Sequence, residues 1–547
     1  MHQTINLTES YWGRDESEPL LEMTLGDLLR LRAADCRDRV AFVEGTKTYA
    51  ERRRWTYGGL LASAESVARA LLRRFSPGER VAVWSPSVAE WVLLQHGAGL
   101  AGLVLVTVNP AYRAEELAHV LRSSRAAGIF FAERYRSADM AQIVRTVRSQ
   151  LPDLREAISF NDWDAFVATS DPAIALPEVR PGNMIQIQFT SGTTGKPKGA
   201  CLHHRGLINA ARFAARRAGL PEAGVWASAM PLFHIGGCSS GEFGAFTARG
   251  TLIMQPAFDA GGMLDLIETE RAVHLHAVPT MLHAILDHPD LPRRDLASLR
   301  TIMSGGSPVP ATLVRRVREV LGCRFTITFG QTELNGVICQ THPEDDPDRQ
   351  ATTIGQPAPQ MEVKIADPAT GEVRALGETG EIWARGYQTM LGYFNSSELA
   401  ESALTPDGWL KTGDLASMDA AGYLHITGRL KDSIIRGGEN VYPREIEDVL
   451  SMHPGVQQAS VVGVPDEKWG EVVVAVVRLR PGAARPAAID LYQHCRSMLA
   501  GYKVPVQWFF VDEFPMTSSG KVQKFTLRER IVAGAMLSEP FEKPARS

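Results

Sequence analysis

The sequence predicts an α/β fold: a large N-terminal domain of stacked sheets and helices, followed by a smaller, mobile α+β domain. Three observations predict it. Apolar runs of strand character alternate with segments whose apolar residues recur at helical spacing. The chain has 547 residues, too many for one hydrophobic core. Late in the chain, "GRLKDSIIRGGENVYPREIEDVL", Gly428 to Leu450, places a turn rich in glycine and charge before a helix that opens near Pro443.

The alternation is plainest early. "RVAVWSP" from Arg80 reads as a strand and turn, "SVAEWVLLQHGAGLAG" as a helix, and "LVLVTVNP" as the next strand. "AEELAHVLRSSR" follows with helical spacing and "AAGIFFA" closes a βαβαβ run. No repeat of fixed period is visible. "THPEDDPDRQATTIGQPAPQ", Thr341 to Gln360, reads as an exposed loop of the large domain. The expected division is residues 1–428, a hinge at 429–433, and a small domain at 434–547.

Composition narrows the function. Hydrophobic residues at 44% and charged residues at 22% exclude a disordered or fibrous chain. A net charge of −4 argues against nucleic acid as a partner. Six cysteines, Cys36, Cys201, Cys238, Cys323, Cys339 and Cys495, lie far apart with no C-x-x-C pair, so they fit neither a zinc site nor a disulfide framework. The first residues carry no basic segment followed by an apolar run. The longest apolar stretch, Gly99 to Val108, is about ten residues where a membrane span needs about twenty. These features predict a soluble cytoplasmic protein without a transmembrane segment.

One stretch carries chemistry on its own. "TSGTTGKPKG", Thr190 to Gly199, follows the strand candidate Met184 to Phe189. Gly192 and Gly195 free the backbone to turn its N–H groups inward, Thr190, Ser191, Thr193 and Thr194 add hydroxyl donors, and Lys196 and Lys198 add charge. That combination suits a polyphosphate. It is not a Walker A loop, because Lys196 is followed by Pro197 instead of Ser or Thr.

Further on come "TFGQTE" (Thr328 to Glu333), "TGD" (Thr412 to Asp414), "GRLKD" (Gly428 to Asp432), "GGENVYPREIE" (Gly437 to Glu447) and "PMTSSGK" (Pro515 to Lys521). With these motifs in this order, the chain resembles the adenylate-forming superfamily of acyl-CoA synthetases, luciferases and peptide-synthetase adenylation domains. The likeness runs from "WTYGGL" to "GKVQKFTLRE", and "GGENVYPREIED" and "SGKVQK" are most similar to medium- or long-chain fatty acyl-CoA synthetases.

The resemblance implies an AMP-forming acid:CoA ligase that uses ATP, Mg²⁺ and CoA on a medium- or long-chain or bulky carboxylic acid. It implies that the Thr190–Gly199 loop holds the phosphates, that Glu333 is the Mg²⁺ ligand, and that Thr332 donates to the α-phosphate. Phe329 stands where the family commonly has Tyr; its ring face suffices as an adenine platform, and Gly330 follows it in the nucleotide-binding set. Asp414 suits the ribose hydroxyls and Arg429 ribose or phosphate. Gly305 and Gly306 fit either a close approach to the nucleotide or a plain turn, and His234 either a place beside the acyl group or the core. Lys521 would join carboxylate to α-phosphate, Lys431 falls at the hinge, and Gly437 and Gly438 would line the pantetheine tunnel. The small residues of "HIGGCSSGEFGAF" read either as room for a bulky acid or as close helix packing. Two other functions fit parts of the sequence: an acyl-AMP ligase that loads a carrier protein, and a phosphate-binding protein or NTPase without acyl transfer.

Overall fold

The computed structural model describes residues 5–46, 48–190, 197–396, 402–437, 439–516 and 522–541. The βαβαβ run appears as read: strands Arg80–Trp84, Val104–Val108 and Gly128–Phe131 alternate with helices Ala89–Leu100 and Ala114–Ser124. Val104–Val108 is buried along its whole length, as a central parallel strand covered on both faces must be. Its sheet runs Lys198–His203, Met184–Thr190, Val104–Val108, Arg80–Trp84, Gly128–Phe131 and Glu156–Ser159, parallel except for the first strand, which returns as a hairpin.

A second, longer sheet has a parallel centre: Arg324–Gln331, Thr301–Gly305, His274–His276, Val225–Ser228, Thr251–Met254 and Val40–Glu44. Its register pairs Ser228 with His276 and Gly305 with Thr328, so these strands end together along one edge. A third, antiparallel sheet joins Tyr11–Trp12, Met361–Ala366, Gly380–Gly386, Leu410–Met418 and Leu424–Arg429.

Beyond it the chain builds a separate sheet from Ile434–Arg436, Glu439–Val441, Val456–Asp466, Gly470–Leu479 and Gln507–Phe510. Helices Pro443–Ser451 and Ala488–Met498 share an apolar core with this sheet around Ile446, Val473, Val477, Leu491 and Trp508.

The stretch from Thr341 to Gln360 departs from the loop expected of it. Asp346 caps a short helix, Pro347–Thr352, and buried Gln350 donates its amide to Phe325 O (2.5 Å) and His342 O (2.7 Å). The abundance of Pro and Asp reflects that cap and the helix start it serves. The six cysteines are free thiols, five of them buried. Among the described residues no helix is long and apolar enough to cross a membrane.

Candidate active site

The strand Met184–Thr190 and its return Lys198–His203 place Thr190 directly opposite Lys198 at the base of the hairpin that carries the Thr190–Gly199 motif. Ser191, Gly192, Thr193, Thr194, Gly195 and Lys196 lie outside the described residues, as do Gly438 and Lys521. The Thr190 hydroxyl donates to Glu333 Oε1 at 3.2 Å, and the Tyr393 hydroxyl donates to the same oxygen at 2.8 Å.

Glu333 sits in a single 3₁₀ turn, Thr332–Leu334, closed by Asn335 in the left-handed region at φ 51°. The Asn335 side chain donates to Gln388 O (2.8 Å) and accepts from His203 N (3.3 Å), which ties the turn to the hairpin. Met390 N donates to Glu333 O, and Leu391 N and Phe394 N donate to Cys201 O and Gly199 O. The carboxylate is thereby held from two stretches of chain outside its own turn, through Thr190 and Tyr393. Burial, then the Glu333 charge, push the Tyr393 phenol far up and keep it a donor. The Lys198 ammonium lies 5.4 Å from the centre of the Tyr393 ring.

A second group adjoins the first. Asp414 on Leu410–Met418 faces Arg429 on Leu424–Arg429 across the antiparallel ladder. Arg429 Nε donates to Asp414 Oδ1 at 2.7 Å, and Gln331 Nε2 donates to Asp414 Oδ2 at 2.5 Å and to Thr412 O at 2.9 Å. Asp414 raises the Arg429 guanidinium further, with Glu333 also contributing. Lys431, in the turn Leu430–Asp432, is held below the ordinary lysine value, first by desolvation and then by the Arg429 charge; Asp414 and Lys198 act on it too. Thr190, Lys198, Glu333, Asp414, Arg429 and Lys431 thus share one neighbourhood, although 241 positions separate the first from the last.

At the strand edge, Gly305 is dictated by packing: a Cβ there would meet Thr328 O at 2.3 Å. Gly306 follows at φ +75°, a conformation that favours glycine, and is exposed. Phe329 is partly buried in Arg324–Gln331, while a Cβ on Gly330 would meet Gly336 O at 2.1 Å. Thr332 is buried at the head of the Glu333 turn. Gly437, at φ +61°, stands against the Trp469 ring.

His234 accepts from Gly236 N at 3.1 Å through Nδ1, just before a π-helix, Gly236–Phe243, which holds the small residues of the motif. Gly241 faces Ser228 and His276, and Gly237 leaves no room for a side chain against Pro231 O. Helix packing is therefore one real reason for those small residues. The π-helix lies over the strand ends at Ser228 and His276, the edge where open α/β sheets receive ligands.

Two members of the site were missed from the sequence. Gln331 stands inside the quoted "TFGQTE", and its type alone offered the clue, an amide able to hold a carboxylate. Tyr393 gave no signal, because its partner lies 60 positions away.

The model of the "AMP-binding enzyme" family matches residues 29–394, and that of the "AMP-binding enzyme C-terminal domain" matches residues 445–521. The chain belongs to the AMP-binding enzyme family. It is 37% identical to YngI of Bacillus subtilis (strain 168), provisionally named an acyl-CoA synthetase, across 94% of this chain and 98% of that protein. It is 36% identical to the mitochondrial medium-chain acyl-CoA ligase ACSF2 of Danio rerio, across 96% of this chain and 91% of the relative. The crystal structure of ATP-bound MatB from Rhodopseudomonas palustris superposes with a TM-score of 0.83 at 30% identity, across 93% of this chain and 99% of that one.

Proposed function

We propose that this AMP-forming acyl-CoA synthetase activates a medium-chain carboxylic acid, or one of similar bulk, as acyl-AMP and passes the acyl group to CoA. The observation that carries the reading is the convergence of Lys198, Arg429 and Lys431 on the carboxylates Glu333 and Asp414 beside the phosphate-loop hairpin. Joining a carboxylate to a triphosphate brings two anions together, and fixed cations lower that barrier.

In the first step a carboxylate oxygen attacks the α-phosphorus and the bond to the β-phosphate breaks, releasing pyrophosphate. In the second, the CoA sulfur attacks the acyl carbon, the bond to AMP breaks, and the thiol proton is lost. Asp414, held from one side by Gln331 and from the other by Arg429, presents acceptor oxygens suited to ribose hydroxyls. Phe329 offers a ring face for adenine, and Lys521 supplies the charge shared by the two reacting anions.

The site fits Mg²⁺. Among the described residues no group of three or more His, Cys, Asp or Glu side chains is arranged to hold a metal. The two hydrogen bonds that described residues make to the Glu333 carboxylate both fall on Oε1, which suits a cation that takes one or two carboxylates and completes its shell with phosphate oxygens and water. When bound, the cation neutralises phosphate charge.

Residues 1–428 and 434–547 act as large and small domains in this reading, with 429–433 as the hinge between them. A cytoplasmic setting is part of it, supported by the free thiols. The test is acid-dependent pyrophosphate release over straight-chain acids from acetate to tetradecanoate, with and without CoA. Octanoate-sized acids are expected to give the highest kcat/KM, and acyl-CoA is expected with free CoA alone. Highest kcat/KM for acetate or propionate would refute the acid class, and ATP turnover to ADP would refute the ligase.

A further inference from the structure

Behind the π-helix lies a chain of side-chain hydrogen bonds with no place in the chemistry above. Glu242 on the π-helix accepts from Gln95 Nε2 at 2.8 Å on one oxygen and meets His96 Nε2 at 2.7 Å on the other. Gln186 Nε2 donates to Gln95 Oε1 at 2.5 Å, and Gln188 Nε2 donates to Gln186 Oε1 at 2.8 Å and to Cys238 Sγ at 3.1 Å. The chain thus leaves the π-helix at Glu242 and returns to it at Cys238. Three elements contribute in pairs: helix Ala89–Leu100 (Gln95, His96), strand Met184–Thr190 (Gln186, Gln188) and the π-helix.

All six residues are 2% exposed or less. The surroundings are apolar, with Phe246 stacked on His96 at 5.6 Å. Burial raises the Glu242 carboxyl, opposed by His96 and Gln95. Polar groups so deep add little net stability, since well-packed apolar residues would serve as well. What they add is direction. Hydrogen bonds fix one register, whereas an apolar contact tolerates sliding. The register they fix is that of the π-helix against the strand that ends at Thr190. On its other side the π-helix meets Ser228 and His276 through Gly241, and Ser239 Oγ donates to Leu207 O at 3.2 Å.

We propose that Glu242, His96, Gln95, Gln186, Gln188 and Cys238 form a positioning network that holds the π-helix at a fixed height over the strand ends and so sets which acyl lengths the enzyme accepts. The proposal rests on the acyl-CoA synthetase reading above. None of the six touches the reacting atoms. They act through the π-helix backbone.

The test measures kcat/KM for the acetate-to-tetradecanoate series by acid-dependent ATP–pyrophosphate exchange, together with KM for ATP. Glu242→Gln keeps the shape and replaces one carboxyl oxygen by an amide donor; Gln188→Met cuts the chain near its other end and decides the matter if the first variant does not fold. The expected result is a flattened profile, with the preference for the best acid over those two carbons shorter or longer falling at least about tenfold. KM for ATP should stay within about twofold, which a merely structural defect would not arrange. Uniform loss across all acids, or a profile unchanged in shape, would overturn the proposal while leaving the functional reading intact. Failure of every acid to support exchange in the unaltered enzyme would overturn both.

Discussion

The site around Glu333 and Asp414 and the chain of bonds behind the π-helix are both polar, and each bonds to the strand Met184–Thr190, the first through Thr190 and Glu333, the second through Gln186 and Gln188, yet they are built in opposite ways. In the first, the Arg429 side chain is 43% exposed and, among the described residues, engages Asp414 through one nitrogen, leaving further donors that suit a ligand. In the second, both Glu242 oxygens are engaged within the protein and the residue is fully buried. Unused hydrogen-bonding capacity marks a place for something else to bind. Capacity consumed internally marks a fixed joint. One strand carries both, with Gln186 and Gln188 facing the joint and Thr190 the site.

Three experiments press on that contrast. The largest effect is expected from Lys521→Ala, a residue identified from its motif. Acid-dependent pyrophosphate exchange should fall about a thousandfold, roughly 4 kcal/mol of barrier. Thiolysis of pre-formed acyl-AMP and the urea midpoint should hold, and equal loss in both half-reactions would give the lysine a structural role instead.

Glu242→Ala is the mirror case. Removing one partner of a buried pair leaves the other uncompensated, so stability should fall by about 3 kcal/mol, seen as a lower urea midpoint. A midpoint equal to that of the parent would show that the Glu242 contacts contribute nothing to stability.

The smallest effect is expected at Lys431→Pro. Proline fixes φ near −65° and restricts the preceding residue, so the small domain should stall in one orientation. Acyl-CoA formation should drop about a hundredfold, roughly 2.7 kcal/mol, while acid-dependent exchange persists. Unimpaired thiolysis would remove the hinge from 429–433.

What could be read from the sequence follows from how local its causes are. The run from Arg80 to Phe131 was legible because each strand and helix carries its own period, and burial then follows from the sheet. Contiguous motifs put Glu333, Asp414 and Arg429 in view, and their ladder and turns bring them together. The segment from Thr341 to Gln360 misled because its decisive residue is one buried glutamine, Gln350, amid residues typical of loops. Tyr393 escaped because only folding brings its hydroxyl to Glu333. The network behind the π-helix escaped for both reasons. Its six members are scattered from 95 to 242, and a π-helix matches neither helical nor strand period.

The thiols have a consequence for an enzyme that makes an activated acyl group. Cys201 lies on the return strand of the hairpin and Cys238 on the π-helix. Burial pushes both up to about 12. At neutral pH such a thiol stays protonated, and the thiolate is the nucleophile. The mixed anhydride therefore meets almost no competing sulfur from its own protein, and self-acylation is suppressed without giving up cysteine as a packing residue.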